Sequence, residues 1–285
     1  MSHSHYRKLN RYGDGRLTFD ANFADTNSIS EGSLPEEYSL DRPSAPVSIE
    51  KLRKIEEFQR RVIYEDNHLL VVDKPICLAT QGAASGEESL FTLAQNYVKV
   101  KYNKPGAVYL GVVSRLDFPV SGVVVFARTS KSASRLNEHF KTHTVRKFYQ
   151  ALLEGTLSRE SGELVNFICE DKNTRRLWIT DNPKANSRFS PKESRLSYRT
   201  LEKQTGPKSC PTTLVEIELF TGRKHQIRLQ FSNQGAPIMA DGKYGAQVRK
   251  QPGICLHACR LTLTHPTTKR LMTFSSCRPD WSNMR

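Results

Sequence analysis

Apolar side chains recur along this chain in short runs and alternating stretches that predict β-strands. The clearest run is HLLVVD at residues 68–73, which is rich in branched side chains and stops at Lys74-Pro75, as a buried strand would. Residues 212–220 instead alternate polar and apolar positions, which is typical of a strand with one buried face. The strands predicted in this way cover residues 68–73, 121–128, 147–153, 212–220, 255–264 and 271–274.

Other segments carry apolar residues every three to four positions, which predicts helices. One helix is expected after Glu88, and another is expected to be capped by Ser130. A third is predicted over residues 223–233, with Gly235 closing it, and a short amphipathic segment spans residues 49–62. Because strands outnumber helices and few helices separate consecutive strands, we expect an α+β fold in which a mostly antiparallel mixed sheet is flanked by helices.

The beginning of the chain lacks these patterns. Residues 25–48 mix Ser, Pro, Glu and Asp with few large apolar side chains and show no sustained period. Residues 1–50 are therefore predicted to be a poorly structured leader, and residues 51–285 a single folded domain. The sequence shows no internal repeat and no separate small module ahead of that domain.

The charge balance narrows the choice of partner. Lys and Arg number 43 against 29 Asp and Glu, so the formal net charge is +14 at pH 7. Such an excess attracts anionic partners, among which nucleic acid is the leading candidate. No apolar run approaches the roughly 20 residues that cross a bilayer, and the N-terminus lacks a secretory signal. Six cysteines without framework spacing suggest reduced thiols, so we expect a cytoplasmic protein.

One cysteine and histidine cluster could suggest a metal. Cys255, His257 and Cys259 alternate, so on a strand they would share a face. Three ligands at spacing two along one strand are too spread out to chelate zinc comfortably, and a fourth ligand is missing from the motif. We interpret these residues as core packing and expect no metal site.

A carboxylate is the first candidate for chemistry. Asp117 follows Arg115 in a loop just before the strand at residues 121–128, and Pro119 stiffens that loop. A single Asp in such a loop is more often a turn or cap residue. Asp117 alone therefore does not indicate a reaction.

Two later segments supply further candidates. On the strand at residues 147–153, Tyr149 shares a face with Lys147, although a strand tyrosine usually packs in the core. The run TGRKHQIR at residues 221–228 is expected to open a helix with basic side chains on one face. Backbone donors at a helix start also favour phosphate.

The order of these motifs is more specific than any one of them. The chain carries R-L-D followed by S-G, then K-x-Y-x-A-L-x-E-G, T-G-R-x-H-Q-I-R and, at residues 235–245, G-x-P-I-x-x-D-x-x-Y-G. A V-V-D-K-P strand and a late L-H-A-x-R-L-x-x-x-H-P strand fit the same set. Together the motifs resemble the RluA-type family of RNA pseudouridine synthases, from about Val62 to the C-terminus.

The resemblance implies a pseudouridine synthase catalytic fold and a reaction without cofactor or metal. The family detaches uracil from its ribose in RNA and rejoins it through a ring carbon. Asp117 would act covalently on the nucleotide, and Arg228 would pair with it and keep it ionised. Tyr149 would stack on the target base and take part in late proton removal.

The same resemblance implies a set of RNA contacts. Arg115 would fill the space left when the target base leaves its stack. Arg223, Lys224 and Lys147 would hold phosphates, and His225 is grouped with them as an RNA-binding residue. The expected partner is ribosomal or transfer RNA, and a monomer is the default expectation.

Two residues of the loop differ from the common family pattern H-R-L-D-x-x-T-S-G. Ser114 stands in place of the His, and Val120 in place of the Thr. Neither change removes the carboxylate or its Arg. We therefore expect the enzyme to keep its activity. The RNA context that it recognises is not determined by these residues.

Two other classes of function compete with this interpretation. A non-catalytic RNA-binding or ribosome-assembly protein on the same fold could lose the Asp, Tyr and Arg set, which is intact here. A hydrolase with paired carboxylates would need a second acid across from Asp117. Glu154 and Asp241 are present, but their spacing pairs neither of them with Asp117.

Overall fold

The computed structural model describes residues 48–82, 87–184, 186–205, 210–248 and 252–281, which lie in one compact unit spanning Val47–Arg285. The leader prediction falls almost wholly outside the described residues, although its last two residues already belong to a helix. The helices are α1 (Ile49–Arg60), α2 (Leu90–Lys101), α3 (Ser130–Lys141) and α4 (Gln226–Asn233).

Eleven strands in the described part of the chain form a single sheet. They are β1 (Val62–Glu65), β2 (Leu69–Lys74), β3 (Gly111–Val112), β4 (Ser121–Ala127), β5 (Arg146–Glu154), β6 (Ser161–Asp171), β7 (Arg176–Thr180), β8 (Lys192–Thr205), β9 (Pro211–Leu219), β10 (Leu256–Thr264) and β11 (Leu271–Ser275). Their order is β1-β2-β4-β10-β5-β9-β8-β6-β7, with β11 on β10 and β3 on β4.

The pairing confirms the predicted α+β class with a mostly antiparallel mixed sheet. Among the described strands, only β4 and β10 pair in parallel, through His257 opposite Ser121 and Ala258 opposite Gly122. Gly122 lies at φ +119°, and a Cβ there would come within 2.3 Å of the Ala258 carbonyl oxygen. A glycine is therefore required where the two central strands meet.

Helices cover both faces of the β2–β4 half of the sheet, which explains the continuous apolar runs there. On one face, Leu70 and Phe126 pack with α1 and α2, whose Phe58 and Tyr97 rings lie 5.2 Å apart. On the other face, Leu69 packs with α3 in a separate cluster. A strand buried on both faces cannot alternate polar and apolar positions, so the run reads as uniformly apolar.

Two helix boundaries differ from the prediction. Thr129, not Ser130, caps α3, because its side chain accepts the amide of Ser132. The helix predicted from residue 223 begins only at Gln226, since His225 adopts a left-handed conformation at φ 55°. Gly235, at φ +73°, follows the end of α4 as predicted.

The strands β6, β7 and β8 were not predicted. Long stretches of β6 are exposed or only partly buried, so its apolar residues do not alternate regularly. These strands extend the sheet beyond β9 and place α4 against β6 and β7. That packing sets the position of Arg228, which lies on α4.

Candidate active site

The loop that carries Asp117 is fixed through its backbone on every side. The Thr80 hydroxyl donates to the Leu116 carbonyl at 2.9 Å and accepts from the Leu116 amide at 3.1 Å. The Asp117 carbonyl accepts from the Val120 amide, and the Pro119 carbonyl accepts from the Ile254 amide, both at 3.1 Å. A loop with its backbone groups satisfied in this way presents its side chains from a rigid frame.

A buried lysine completes that frame. Lys74 is fully buried, and its ammonium donates to the carbonyls of Pro75, Leu78 and Phe118 at 2.9, 2.7 and 3.2 Å. Burial lowers the pKa of Lys74 to about 8, although the charge of Asp117 opposes that shift. The V-V-D-K-P motif of the sequence therefore acts at the site by holding the loop in place.

Arg228 joins Asp117 to a second carboxylate. Its Nη1 donates to Asp117 Oδ2 at 3.1 Å, while Nε and Nη2 donate to Asp241 Oδ2 and Oδ1 at 2.7 and 2.9 Å. The bidentate pair with Asp241 fixes the plane of the guanidinium, which leaves one edge directed at Asp117. The side chain of Arg228 is buried, whereas that of Asp117 is 29% exposed and open to a ligand.

Asp241 is a site residue that the sequence interpretation did not assign. Both of its oxygens are engaged by Arg228, and its side chain is only 2% exposed. It is therefore unsuited to act as the second acid of a hydrolase. Glu154, the other acid considered, accepts the backbone amides of Gln247 and Val248 at 2.7 and 3.1 Å and serves the fold.

His225 and Tyr244 lie beside the pair of Asp117 and Arg228. His225 Nε2 lies 3.7 Å from Asp117 Oδ2, and its Nδ1 lies 2.6 Å from the Tyr244 hydroxyl. Burial lowers the pKa of His225, with Arg228 also lowering it and Asp117 opposing. The Tyr244 ring also lies under the Arg228 guanidinium at 4.9 Å. Tyr244 belongs to the Y-G end of the motif at residues 235–245, which was quoted without assigning it a role.

Tyr149 shares a cavity with Asp117, His225 and Arg228. A cavity of about 100 Å³, here called the inner cavity, is lined by Tyr149, Asp117 and Arg228 among other residues. Burial raises the pKa of the Tyr149 hydroxyl, and the negative charge of Asp117 raises it further. The phenol therefore stays protonated near neutral pH. Its ring packs on the core cluster beneath and is partly exposed to the cavity.

Four of the five predicted RNA-binding residues line a larger cavity of about 660 Å³, here called the outer groove, which shares lining residues with the inner cavity. The fifth, His225, lines the inner cavity only. Arg115 and Arg223 line both cavities, and Lys147 and Lys224 line the outer groove. Lys224 is already paired with Glu170 at 2.7 Å, and Arg223 Nε donates to the Glu193 carbonyl at 2.9 Å.

The expected helical arrangement of these residues was wrong. Arg223, Lys224 and His225 precede α4, so they do not share a helix face with Arg228. The left-handed backbone at His225 instead turns the chain just before the helix begins. A non-glycine residue in that conformation is uncommon and marks the turn that brings His225 against Asp117.

Both departures from the family loop pattern have a structural explanation. The Ser114 hydroxyl accepts the Val125 amide at 3.1 Å and donates to the Val125 carbonyl at 3.4 Å, so it substitutes for a strand partner of β4. Val120 is 3% exposed and packs in the main core cluster. Within the described residues, the Ser114 hydroxyl makes no hydrogen bond to Asp117, and the apolar Val120 side chain has no group that could make one.

The residues of the cysteine and histidine motif, Cys255, His257 and Cys259, are buried. His257 Nδ1 lies 2.9 Å from the Ser121 hydroxyl, and Nε2 lies 3.2 Å from the Ser276 carbonyl oxygen. Both ring nitrogens therefore have partners within the protein.

None of the helices described is long and apolar enough to cross a membrane.

Comparisons with known proteins find relatives in sequence and in fold. A family model described as RNA pseudouridylate synthase matches residues 68–233. The dual-specificity RNA pseudouridine synthase RluA of Haemophilus influenzae is 32% identical over 220 residues, covering 75% of this chain and 91% of the relative. Ribosomal large subunit pseudouridine synthase C of Vibrio vulnificus is 32% identical over 247 residues, covering 83% of this chain and 70% of the relative. The solved structure of human RNA pseudouridylate synthase domain containing 4 has a similar fold, with a TM-score of 0.65, 21% identity and coverage of 82% and 95%.

Proposed function

Because this chain belongs to the RluA-type family of RNA pseudouridine synthases, which are isomerases, we propose that it converts specific uridines of ribosomal or transfer RNA to pseudouridine. The observation that carries the proposal is the contact between Asp117 and Arg228 at the wall of the inner cavity. The guanidinium at 3.1 Å fixes the direction of the carboxylate, and the partial exposure of Asp117 leaves it open to a nucleotide.

The proposed reaction breaks the bond between ribose C1′ and uracil N1 and forms a bond between C1′ and uracil C5. Asp117 acts covalently on the nucleotide between these two events. The proton on C5 is removed at the end and N1 carries one in the product, so product and substrate have the same atoms. No external oxidant or reductant is needed, and we propose that no cofactor takes part.

Base flipping gives the neighbouring residues their roles in this proposal. A uridine in a stacked strand cannot bring C1′ to Asp117, so it must rotate out of the stack. Arg115 is exposed beside the inner cavity and would fill the vacated space. Tyr149 would stack on the flipped base, and its protonated hydroxyl would relay the C5 proton by accepting it while donating its own proton to water.

We also propose a cytoplasmic location, and a monomer remains the default prediction. None of the six cysteines forms a disulfide, and three of them, Cys169, Cys255 and Cys259, are buried. Free thiols are common where the compartment is reducing.

The experiment that tests the function is a pseudouridine map of total RNA from the source organism, with and without this gene. We expect one or a few sites to disappear, to return with the wild-type gene and to stay absent with Asp117→Asn. An unchanged map would contradict the proposal and favour a binding or assembly role. Purified Asp117→Asn should keep its RNA affinity within about tenfold, because phosphate contacts dominate binding.

A further inference from the structure

We propose that the outer groove binds the sugar–phosphate backbone of the RNA beside the reacting uridine and that this backbone runs from Asp117 to the end of α3, at Lys141 and His143. The inference rests on the proposed function and adds to it a path for the RNA and two residues that the family motifs do not include. The outer groove is more than six times as large as the inner cavity, at about 660 against about 100 Å³. It therefore has room for more than the base that reacts.

The charge of the groove is the first support. Among its lining residues, Asp117 is the one carboxylate. Basic and potentially basic side chains surround it, from β5, from the α3 end, from β10 and from the segment before α4. Besides Arg115 these are Lys141, His143, Lys147, Arg223, Lys224 and Arg260. A cleft lined by one sign of charge concentrates polyanions.

Some of these cations already have protein partners, and others do not. Arg260 lies 3.7 Å from Glu216, and Lys224 is paired with Glu170. The side chains of Lys141 and Lys147 make no hydrogen bond or ion pair within the ranges that the structure describes. Both lysines line the groove, Lys141 from α3 and Lys147 from β5, and are available to bind an anion.

Lys147 has the geometry of a phosphate contact. Its ammonium lies beside Gly222, where even an added Cβ would be 3.6 Å away, so the approach from that side is not blocked by a side chain. Burial and, after it, the charge of Arg223 together lower the pKa of Lys147 to about 8. An anion between the two cations would reverse that effect by favouring the charged ammonium.

The groove also offers apolar contacts. Phe140 and Phe148 contribute to its lining, together with aliphatic residues of β4 and β10. Riboses and bases present apolar faces as well as polar edges, and aromatic rings in a positively charged groove are typical of single-stranded nucleic-acid sites. The combination fits an RNA strand better than it fits an inorganic anion.

Lys141 has a second, purely structural explanation that the test must separate. It is in the last turn of α3, where a cation is favourable to the helix dipole. Lys131 provides a matched control, because it lies at the other end of the same helix, is exposed and does not line the groove. Both lysines can be changed to alanine.

The test measures binding of labelled oligouridylates of about four and about twelve nucleotides to the full chain, by fluorescence anisotropy over a range of salt concentrations. We expect Lys147→Ala to weaken binding of both lengths at least threefold. Lys141→Ala should weaken binding of the long probe about threefold and reduce its salt slope by about 0.7, which corresponds to one lost phosphate contact on a single strand. It should leave the short probe unchanged, and Lys131→Ala should leave both unchanged.

Two results would overturn the inference. One is binding of the long probe that is unchanged from wild type in either Lys141→Ala or Lys147→Ala. The other is an equal loss in Lys131→Ala, which would indicate a general charge effect. The proposed function fails separately, since it requires pseudouridine in the product, whereas the groove requires only position-dependent binding.

Discussion

Asp241 holds the Arg228 guanidinium by both of its oxygens, at 2.7 and 2.9 Å, in a pair that is almost completely buried. The remaining Nη1 of Arg228 then reaches Asp117 at 3.1 Å. In the proposed reaction, Asp241 would act through Arg228, as a positioning residue. A buried arginine with two carboxylates also keeps its charge, because both carboxylates raise its pKa against the effect of burial.

The first prediction concerns Asp241→Asn. The amide can accept only at one atom, so the guanidinium loses its fixed plane and Asp117 loses its alignment. We expect kcat to fall about 100-fold while KM changes by less than about threefold, since misplacement of reacting groups affects the chemical step. Steady-state kinetics on an RNA identified by the pseudouridine map would measure both constants.

Glu154→Gln is the matched control for that variant, because Glu154 is also a buried carboxylate but caps the amides of Gln247 and Val248. Its effect should appear in thermal stability and not in kcat. A loss of kcat that is equal in the two variants would mean that Asp241 only supports the fold.

Tyr149→Phe keeps the ring and removes the hydroxyl. If the hydroxyl takes part in late proton removal, turnover should fall by about 10²-fold or more while RNA affinity is kept. Since burial raises the pKa of Tyr149 above its ordinary value, the wild-type rate should show no phenolate-dependent rise between pH 7 and 9. Full turnover by the variant would leave Tyr149 with stacking alone.

Lys74→Met tests the frame of the catalytic loop. The substitution leaves the carbonyls of Pro75, Leu78 and Phe118 without their donor in a buried environment. We expect the free energy of unfolding to fall by about 3 kcal/mol and the activity to fall with the loop's order. Chemical denaturation measures the first effect, and hydrogen exchange of the Val120 and Ile254 amides reports the second. If those two amides exchange in Lys74→Met at the same rate as in the wild type, the order of the loop does not depend on Lys74.

RNA affinity should depend on pH through Lys147. Its pKa is about 8 in the free protein, so the ammonium that binds phosphate is lost as the pH rises from 7 to 9. Affinity should therefore decrease over that range in the wild type and stay nearly level in Lys147→Arg, which remains charged. The groups facing Lys147 across the groove include Arg115, Arg223, His143 and Asp117.

The control for this pH dependence is the same comparison in a His143→Ala background, because His143 lines the groove as well. A parallel decrease in Lys147→Arg and in the wild type would assign the pH dependence to another group.

Gly122→Ala should be strongly destabilising. Its Cβ would lie 2.3 Å from the Ala258 carbonyl oxygen, at a φ of +119°, so β4 and β10 would have to separate. We expect a loss of more than about 3 kcal/mol. Gly235→Ala shares the positive φ but has open space around it, and should cost about 1 kcal/mol. Similar losses in the two variants would show that backbone strain alone decides the effect.

The central part of the fold could be predicted from the sequence because its signal is local. Strands β2 and β4 are buried on both faces, and uniformly apolar runs report that directly. Asp117, Tyr149 and Arg228 were assigned from the order of motifs, and the structure places all three on the inner cavity. Their individual chemical roles remain predictions.

Other features depend on contacts between distant segments. Strands β6 to β8 pair through backbone hydrogen bonds while many of their side chains face solvent, so composition hardly marks them. The left-handed turn at His225 moved the start of α4 by three residues and changed which basic side chains share a surface. Local propensity does not report such a turn, because tertiary contacts select it.

The sequence by itself determined which residues are available for the chemistry and in which order they occur. Tertiary structure decided which of them meet. Asp241 lies 124 positions after Asp117, and only the packing of α4 on the sheet places one arginine between the two carboxylates. Spacing along the chain carries no information about such a contact, because the chain turns between the two residues are fixed by burial and backbone pairing throughout the domain.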